Sequence, residues 1–224
     1  MATFLDEAFT GLGVEGRMKH FRIDVPYHTD YLDIQCGDIA YLLPAREAWL
    51  EEYDKRIERV YQSMLPVLPH TCGSLLDIGG GLSGIGARLC EHYGGDTHVA
   101  VLDGKNTLAL VDKHAEPFNN ATRTQHFLRL NGVKSQSFIE PHDDLLCHQF
   151  DLIISTQAWP FHIGVNVYLP RVVKALVPGG TLIVDVRKSH PEWRLQLEQS
   201  FGPAQTLAVA SKWERLAFRS QRAE

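Results

Sequence analysis

Ser74-Leu75-Leu76-Asp77-Ile78-Gly79-Gly80-Gly81-Leu82-Ser83-Gly84-Ile85-Gly86 is the stretch that decides the fold. A short apolar run, interrupted by one acid, ends in glycines, which is the pattern of a buried strand turning sharply into a helix. Glycines suit such a turn because they tolerate positive φ. Lacking a Cβ, they also let a ligand lie against the backbone amides at a helix N-terminus. The stretch reads as a nucleotide-cofactor loop.

Two cofactor classes compete for it. Gly79-x-Gly81-x-x-Gly84 meets the dinucleotide fingerprint, and Asp103 follows at the distance expected of a ribose-binding acid. Asp77 discriminates between them, because a dinucleotide strand is still apolar two places before its first glycine, where it runs buried into the turn. An acid there suits a cationic ligand. S-adenosylmethionine (SAM) carries an ammonium and a sulfonium, and it needs a negative end and backbone carbonyls rather than a pyrophosphate cradle. The stretch favours SAM over NAD.

At 224 residues the chain can bury a full core, and its length favours one domain with a small appendage. With 44% hydrophobic and 22% charged residues it has the composition of a soluble globule. No apolar run approaches the roughly 20 residues of a membrane span. Met1 to Glu7 lacks the basic start and apolar run of a signal peptide, so a cytoplasmic location is expected. Cys36, Cys72, Cys90 and Cys147 are scattered without a CxxC pair and read as reduced, structural thiols. The formal charge of −5, without a Lys/Arg run or basic stripe, disfavours nucleic acid and favours a small-molecule acceptor.

Working outward from the loop, a helix runs from Ile85 to His92 and Gly94-Gly95 stops it. His98 to Leu102 is a second strand ending at Asp103-Gly104, which completes one right-handed strand–helix–strand unit. A helix from Asn119 to Asn131, a third strand from Ser135 to Glu140 and a fourth, buried strand from Phe150 to Ser155 follow. Tyr168 to Leu176 is helical, Pro178-Gly179-Gly180 is a turn, and Thr181 to Val186 is a fifth strand. A helix over 191–200 leads to strands Thr206–Ala210 and Trp213–Phe218. Their connection is too short for a parallel crossover, so they pair as an antiparallel hairpin at a sheet edge.

Ahead of the sheet, Arg46 to Leu65 reads as a long amphipathic helix bearing Trp49, Tyr53, Ile57, Val60, Tyr61 and Met64, closed by Pro66 and Pro69. Tyr27 to Leu43 reads as a cap over the cofactor cleft, the alternative being that residues 1–70 as a whole pad the sheet's outer face. The expected class is α/β: a doubly wound, mostly parallel seven-stranded sheet with a C-terminal antiparallel hairpin, plus an N-terminal helical cap. Residues 1–69 make the cap and long helix, and residues 70–224 the cofactor-binding domain.

On these residues the chain resembles the class I SAM-dependent methyltransferases over roughly 70–220. The glycine motif, Asp103 and Leu176-Val177-Pro178-Gly179-Gly180 carry the likeness. Pro117-Phe118-Asn119-Asn120, Phe127-Leu128, Asn131-Gly132-Val133, Trp159-Pro160-Phe161-His162 and Asp185-Val186-Arg187-Lys188 are similar to a subgroup found in phages and bacterial surface-polysaccharide clusters. The resemblance implies that Asp77 and the backbone of Gly79, Gly80 and Gly81 hold the methionine end of SAM. It implies that Asp103 accepts both ribose hydroxyls, a carboxylate offering two acceptors in one plane. Asp143 or Asp144 would accept from the adenine amino group, and Gly84, Gly104 and Ser155 count among the cofactor-binding positions.

Ligands in open α/β sheets sit beyond the carboxyl ends of the strands, where the fourth strand delivers Ser155 to His162. Methyltransferases acting on base amino groups often show an acid or Asn, two prolines and an aromatic there, a pattern this sequence lacks. Methyl transfer needs alignment and exclusion of water, and a hydroxyl acceptor gains from a base near neutral pKa. His162 is the candidate base, with Asp185 as a second catalytic candidate. Trp159, Phe161, Arg187 and, from the cap, Tyr27, His28 and Tyr31 are candidates for the acceptor pocket, Arg187 as a clamp for a carboxylate or phosphate.

No essential metal is expected, since His142-Asp143-Asp144 with His148 matches no recognised spacing. The expected reaction is SAM-dependent O-methylation of a sugar, nucleotide sugar or related hydroxyl compound. Alternatives are N-methylation of a nucleotide or small amine, a SAM-binding regulatory or scaffold protein using helix 46–65 as its interface, and an NAD-dependent oxidoreductase. A second copy of the chain is an admissible partner; nucleic acid and membrane are not expected.

Overall fold

Strands covered on both faces are predominantly apolar, and three runs of this chain fit that pattern. A computed structural model of the protein describes residues 46–103, 121–141 and 149–221, with side chains from Tyr53 onward and Arg123 excepted. In it these runs form β1 (Ser74–Ile78), β2 (His98–Leu102) and β4 (Phe150–Ser155), with β3 (Gln136–Ile139) preceding β4. β5 (Leu176–Arg187), β6 (Gln205–Val209) and β7 (Trp213–Arg219) complete one seven-stranded sheet in the order β3-β2-β1-β4-β5-β7-β6. The first five strands are parallel, and β7 runs antiparallel to both β5 and β6. The expected doubly wound sheet with its terminal hairpin is therefore the observed one.

One element differs. β5 begins at Leu176, not Thr181, and Pro178-Gly179-Gly180 is a bulge within the strand rather than a turn before it. Phe150 pairs with Leu176 and Leu152 with Thr181, so residues 177–180 arch out of register. Gly179 takes φ 79°, and the arch stays bonded to the chain after β7: the Gly179 amide donates to Ser220 O at 3.1 Å and the Ser220 amide to Gly180 O at 2.9 Å. A Pro-Gly-Gly run forces a bend, but not the end of a ladder.

Among the described residues five helices cover the sheet: α1 (Arg46–Met64), α2 (Gly84–His92), α3 (Ala121–Leu130), α4 (Leu169–Ala175) and α5 (Pro191–Phe201). The period-two alternation of the strands divides their side chains between two cores. Leu75, Val99, Val101, Leu152, Ile154 and Ile183 meet α1, α2 and α3, whereas Leu76, Ile78, Ala100, Ile153, Leu182 and Val184 meet α4 and α5. Asp77 and Asp185 share the parity of the first set.

α1 buries Tyr53, Val60, Tyr61 and Met64 in the first core. Tyr53 meets the Phe127 ring edge-on at 6.4 Å, and Arg88 of α2 stacks on Tyr61 while pairing with Glu58 at 2.9 Å. Tyr53 is thus packed inward. Tyr27 to Leu43, the Trp49 side chain, Cys36 and Cys147 lie outside the described residues. Cys72 and Cys90 are free and buried, and burial pushes the Cys72 thiol up to about 12. Among the described residues no helix is long and apolar enough to cross a membrane.

Candidate active site

β1 delivers Asp77, and the chain then reverses through Gly79 at φ 68° and Gly81 at φ 58°. The Gly79 amide donates to Leu102 O at 2.7 Å, and a Cβ on Gly79 would overlap that of Ala158. The loop is pressed between the end of β2 and the segment after β4, closer than any side chain would permit. At Gly80 a Cβ would stand 2.5 Å from Asp77 Oδ2. Ser83, left-handed at φ 61°, donates from Oγ to the same oxygen at 2.7 Å. Asp77 is 1% exposed, and its Oδ1 has no hydrogen-bond partner among the described residues. Burial pushes this carboxyl up to about 7, with the Ser83 hydrogen bond opposing and the Asp103 charge adding.

Asp103, half-buried at the end of β2, accepts from the Gly81 amide at 2.7 Å. Thr124 of α3 donates to Gly81 O at 2.8 Å, so both backbone groups of the loop's third glycine are held. Two carboxylates therefore flank a fixed glycine turn, an arrangement that repels pyrophosphate and attracts an ammonium. An orphaned buried oxygen beside a turn with no room for a Cβ fits the amino-acid end of SAM.

Beyond β4, Ser155 Oγ donates to Ile78 O at 2.7 Å and accepts from the Trp159 amide at 2.9 Å, pinning the following segment to β1. That segment folds back through Gln157, at φ 54°, and brings Phe161 and His162 against the end of β5. The Arg187 guanidinium lies 4.5 Å over the Phe161 ring, with Nη2 3.3 Å from His162 Nδ1. Here a cavity of about 770 Å³ opens between Gln157, Phe161 and His162 on one side and Arg187, Lys188 and Ser189 on the other. Ser211 and Lys212, from the β6–β7 turn, form its third wall. Desolvation and then the Arg187 charge lower the His162 pKa, so the imidazole is neutral at physiological pH.

The structure thus gathers Asp77, Gly79, Gly80, Gly81 and Asp103 around one turn, and Phe161, His162 and Arg187 around one cavity. It places four other predicted residues elsewhere. Gly84 faces α1, where a Cβ would collide with the Tyr53 hydroxyl, so it seats one helix on another. Ser155 is fully buried, with its hydroxyl used inside the fold. Trp159 is fully buried and donates to Val165 O at 3.0 Å, a core residue rather than a pocket wall. Asp185 is also fully buried: Arg215 bonds Oδ1 at 2.7 Å and Oδ2 at 2.9 Å, and the Gln157 amide reaches Oδ2 at 3.2 Å. Burial raises its carboxyl above the ordinary range and the guanidinium opposes the rise. Asp185 positions the Gln157 turn and does not reach the cavity.

Gly104, Asp143, Asp144, Tyr27, His28 and Tyr31 lie outside the described residues, as do His142 and His148. Gln157, Ser189, Ser211 and Lys212 were missed as cavity residues. The signal for Lys212 was the hairpin itself, which sets the turn before β7 alongside the end of β5.

Comparison with solved structures places this geometry in a known architecture. The chain superposes on the O-MT segment of StiE with TM-score 0.55 at 11% identity, covering 98% of this chain and 91% of that one. A protein described as an O-methyltransferase from Nostoc punctiforme gives 0.54 at 13% identity, covering 74% and 56%. The T. thermophilus 16S rRNA N2 G1207 methyltransferase RsmC, in complex with AdoMet and guanosine, gives 0.53 at 19%, covering 74% and 43%. This chain therefore spans about half the length of the latter two. No protein-family model matches it, and no curated protein matches it in sequence. The fold is that of the class I methyltransferases.

Proposed function

We propose that the protein is a SAM-dependent methyltransferase acting on a hydroxyl of a small polar acceptor, a sugar or nucleotide sugar, in the cytoplasm. The likeness to the phage and surface-polysaccharide subgroup guides that choice of acceptor. One observation carries the reading: a buried carboxylate, one oxygen of which has no partner among the described residues, lies beside a glycine turn that touches, through Gly79 and Ala158, the segment bearing His162. SAM in that turn would supply a methyl group on a sulfonium. Asp77 would face its ammonium and Asp103 its ribose diol. His162, held neutral, takes the proton that the hydroxyl loses as its oxygen bonds to the methyl carbon and the carbon–sulfur bond breaks.

Titration with S-adenosylhomocysteine (SAH) and with NADH is the direct test. SAH binding without NADH binding is expected; NADH binding alone sinks the reading. His162→Ala lowers kcat by about 10²–10⁴-fold with SAH affinity unchanged. The acid limb of wild-type kcat/KM lies below the ordinary imidazole range, because in the free protein desolvation and then Arg187 disfavour the imidazolium. An unchanged kcat would leave an amine acceptor as the better reading.

Asp77 makes cofactor affinity depend on pH. The free protein holds a proton on this carboxyl up to about pH 7, whereas a bound ammonium favours the carboxylate. Binding therefore releases a proton below that pH, and affinity rises from pH 6 to 8. Calorimetry in buffers of different ionisation enthalpy reads the released proton; Asp77→Asn abolishes the release and weakens binding.

A further inference from the structure

The acceptor cavity is basic in a chain whose formal charge is −5. Arg187, Lys188 and Lys212 line it together with the hydroxyl residues Ser189 and Ser211, and among the described residues no Asp or Glu is in its walls. The acid nearest in sequence, Asp185, is buried behind the wall with both oxygens on Arg215. Arg187 meets only the neutral His162 ring and the face of Phe161, and it pairs with no carboxylate among the described residues. Lys188 Nζ donates to Ala210 O at 2.6 Å, which leaves two further N–H donors.

The cluster is built by the sheet rather than by chance contact of loops. Arg187 opposes Trp213 in the antiparallel ladder, and the Lys188 amide donates to Lys212 O at 3.0 Å. Cations set on adjacent strands in this way favour an anion between them.

The number of donors separates the anions that would satisfy it. One guanidinium fork saturates a carboxylate, whereas a phosphate ester offers three acceptor oxygens and a charge of about −1.5 to −2. Resting on the methyltransferase reading, we propose that this cavity binds the phosphate of a phosphorylated acceptor, a phosphate ester or diphosphate that carries the hydroxyl to be methylated. A volume of about 770 Å³ takes the rest of such a molecule as well. Binding also has a consequence for the base. Arg187 Nη2 now donates to His162 Nδ1, and a phosphate that draws the guanidinium away frees that lone pair for the hydroxyl proton.

The test is isothermal titration of the full chain with pyrophosphate, and with malonate as a dicarboxylate control, in the presence and absence of SAH. Wild type, R187Q and K212Q are compared, each checked for an unchanged melting temperature. Pyrophosphate is expected to bind wild type, about tenfold more weakly to either variant and less tightly as salt rises, while SAH affinity stays within about twofold. Malonate is expected to bind at least about tenfold more weakly than pyrophosphate. No pyrophosphate binding, binding indifferent to both substitutions, or malonate binding as tightly would each overturn the proposal. SAH failing to bind wild type that still takes pyrophosphate would sink the methyltransferase reading and leave the phosphate site standing. The opposite pattern would sink the phosphate site alone.

Discussion

Arg215→Met destabilises the protein by about 3–5 kcal/mol, because it strands the Asp185 carboxylate in the core without its counter-ion. For a chain of this size that is a drop in melting temperature of roughly 6–20 °C. Both partners are fully buried, and the guanidinium also donates to Ser63 Oγ at 2.7 Å, so one side chain joins β7, β5 and α1. The double variant D185L/R215M recovers most of the loss, since a buried pair replaced by apolar groups is close to neutral whereas half a pair is not. Thermal and urea denaturation of the two singles and the double measure it. A single variant as stable as wild type would show that the pair is not the tie it is taken to be.

Asp103→Ala is expected to weaken SAH binding by about 100-fold or more, the loss of two charge-assisted hydrogen bonds to a diol together with the anchor of the Gly81 amide. Asp103→Asn separates those two contributions. It keeps an acceptor for Gly81 but replaces the other diol acceptor with a donor, so the melting temperature holds and most of the affinity still goes. Calorimetric titration of both variants decides it. Unaltered SAH affinity in Asp103→Ala would remove the ribose role and with it the alignment of the whole cofactor site.

What the sequence made legible follows from how local each signal is. β2 and β4 coincide with their expected limits because strands buried on both faces are near-continuous apolar runs bounded by turn residues. The glycine turn with Asp77 was equally readable, since a loop's chemistry is carried by neighbours in the chain. The β5 bulge was misread because Pro-Gly-Gly signals a bend and says nothing of which strand continues to pair with it. Trp159 and Asp185 were placed in the site because they adjoin it in sequence. Their burial depends on partners 6 and 30 residues away, reached only once the loop and the β5–β7 register are known. Lys212 was missed for the same reason in reverse, being remote in sequence and near in space, with only the hairpin pointing to it.

For the proposed methyltransferase, the contact between Gly79 and Ala158 sets what the site can become. The Gly79 backbone meets the Ala158 methyl there, so donor turn and acceptor segment share a wall with no slack. Changes at Phe161, Arg187 or Lys212 alter only the cavity's lining and leave that wall untouched. New acceptor preferences are therefore reachable by single exchanges at the rim without disturbing the donor. Position 158 is closed to enlargement: a valine there would shift the donor turn and misalign both reactants at once, whatever the acceptor.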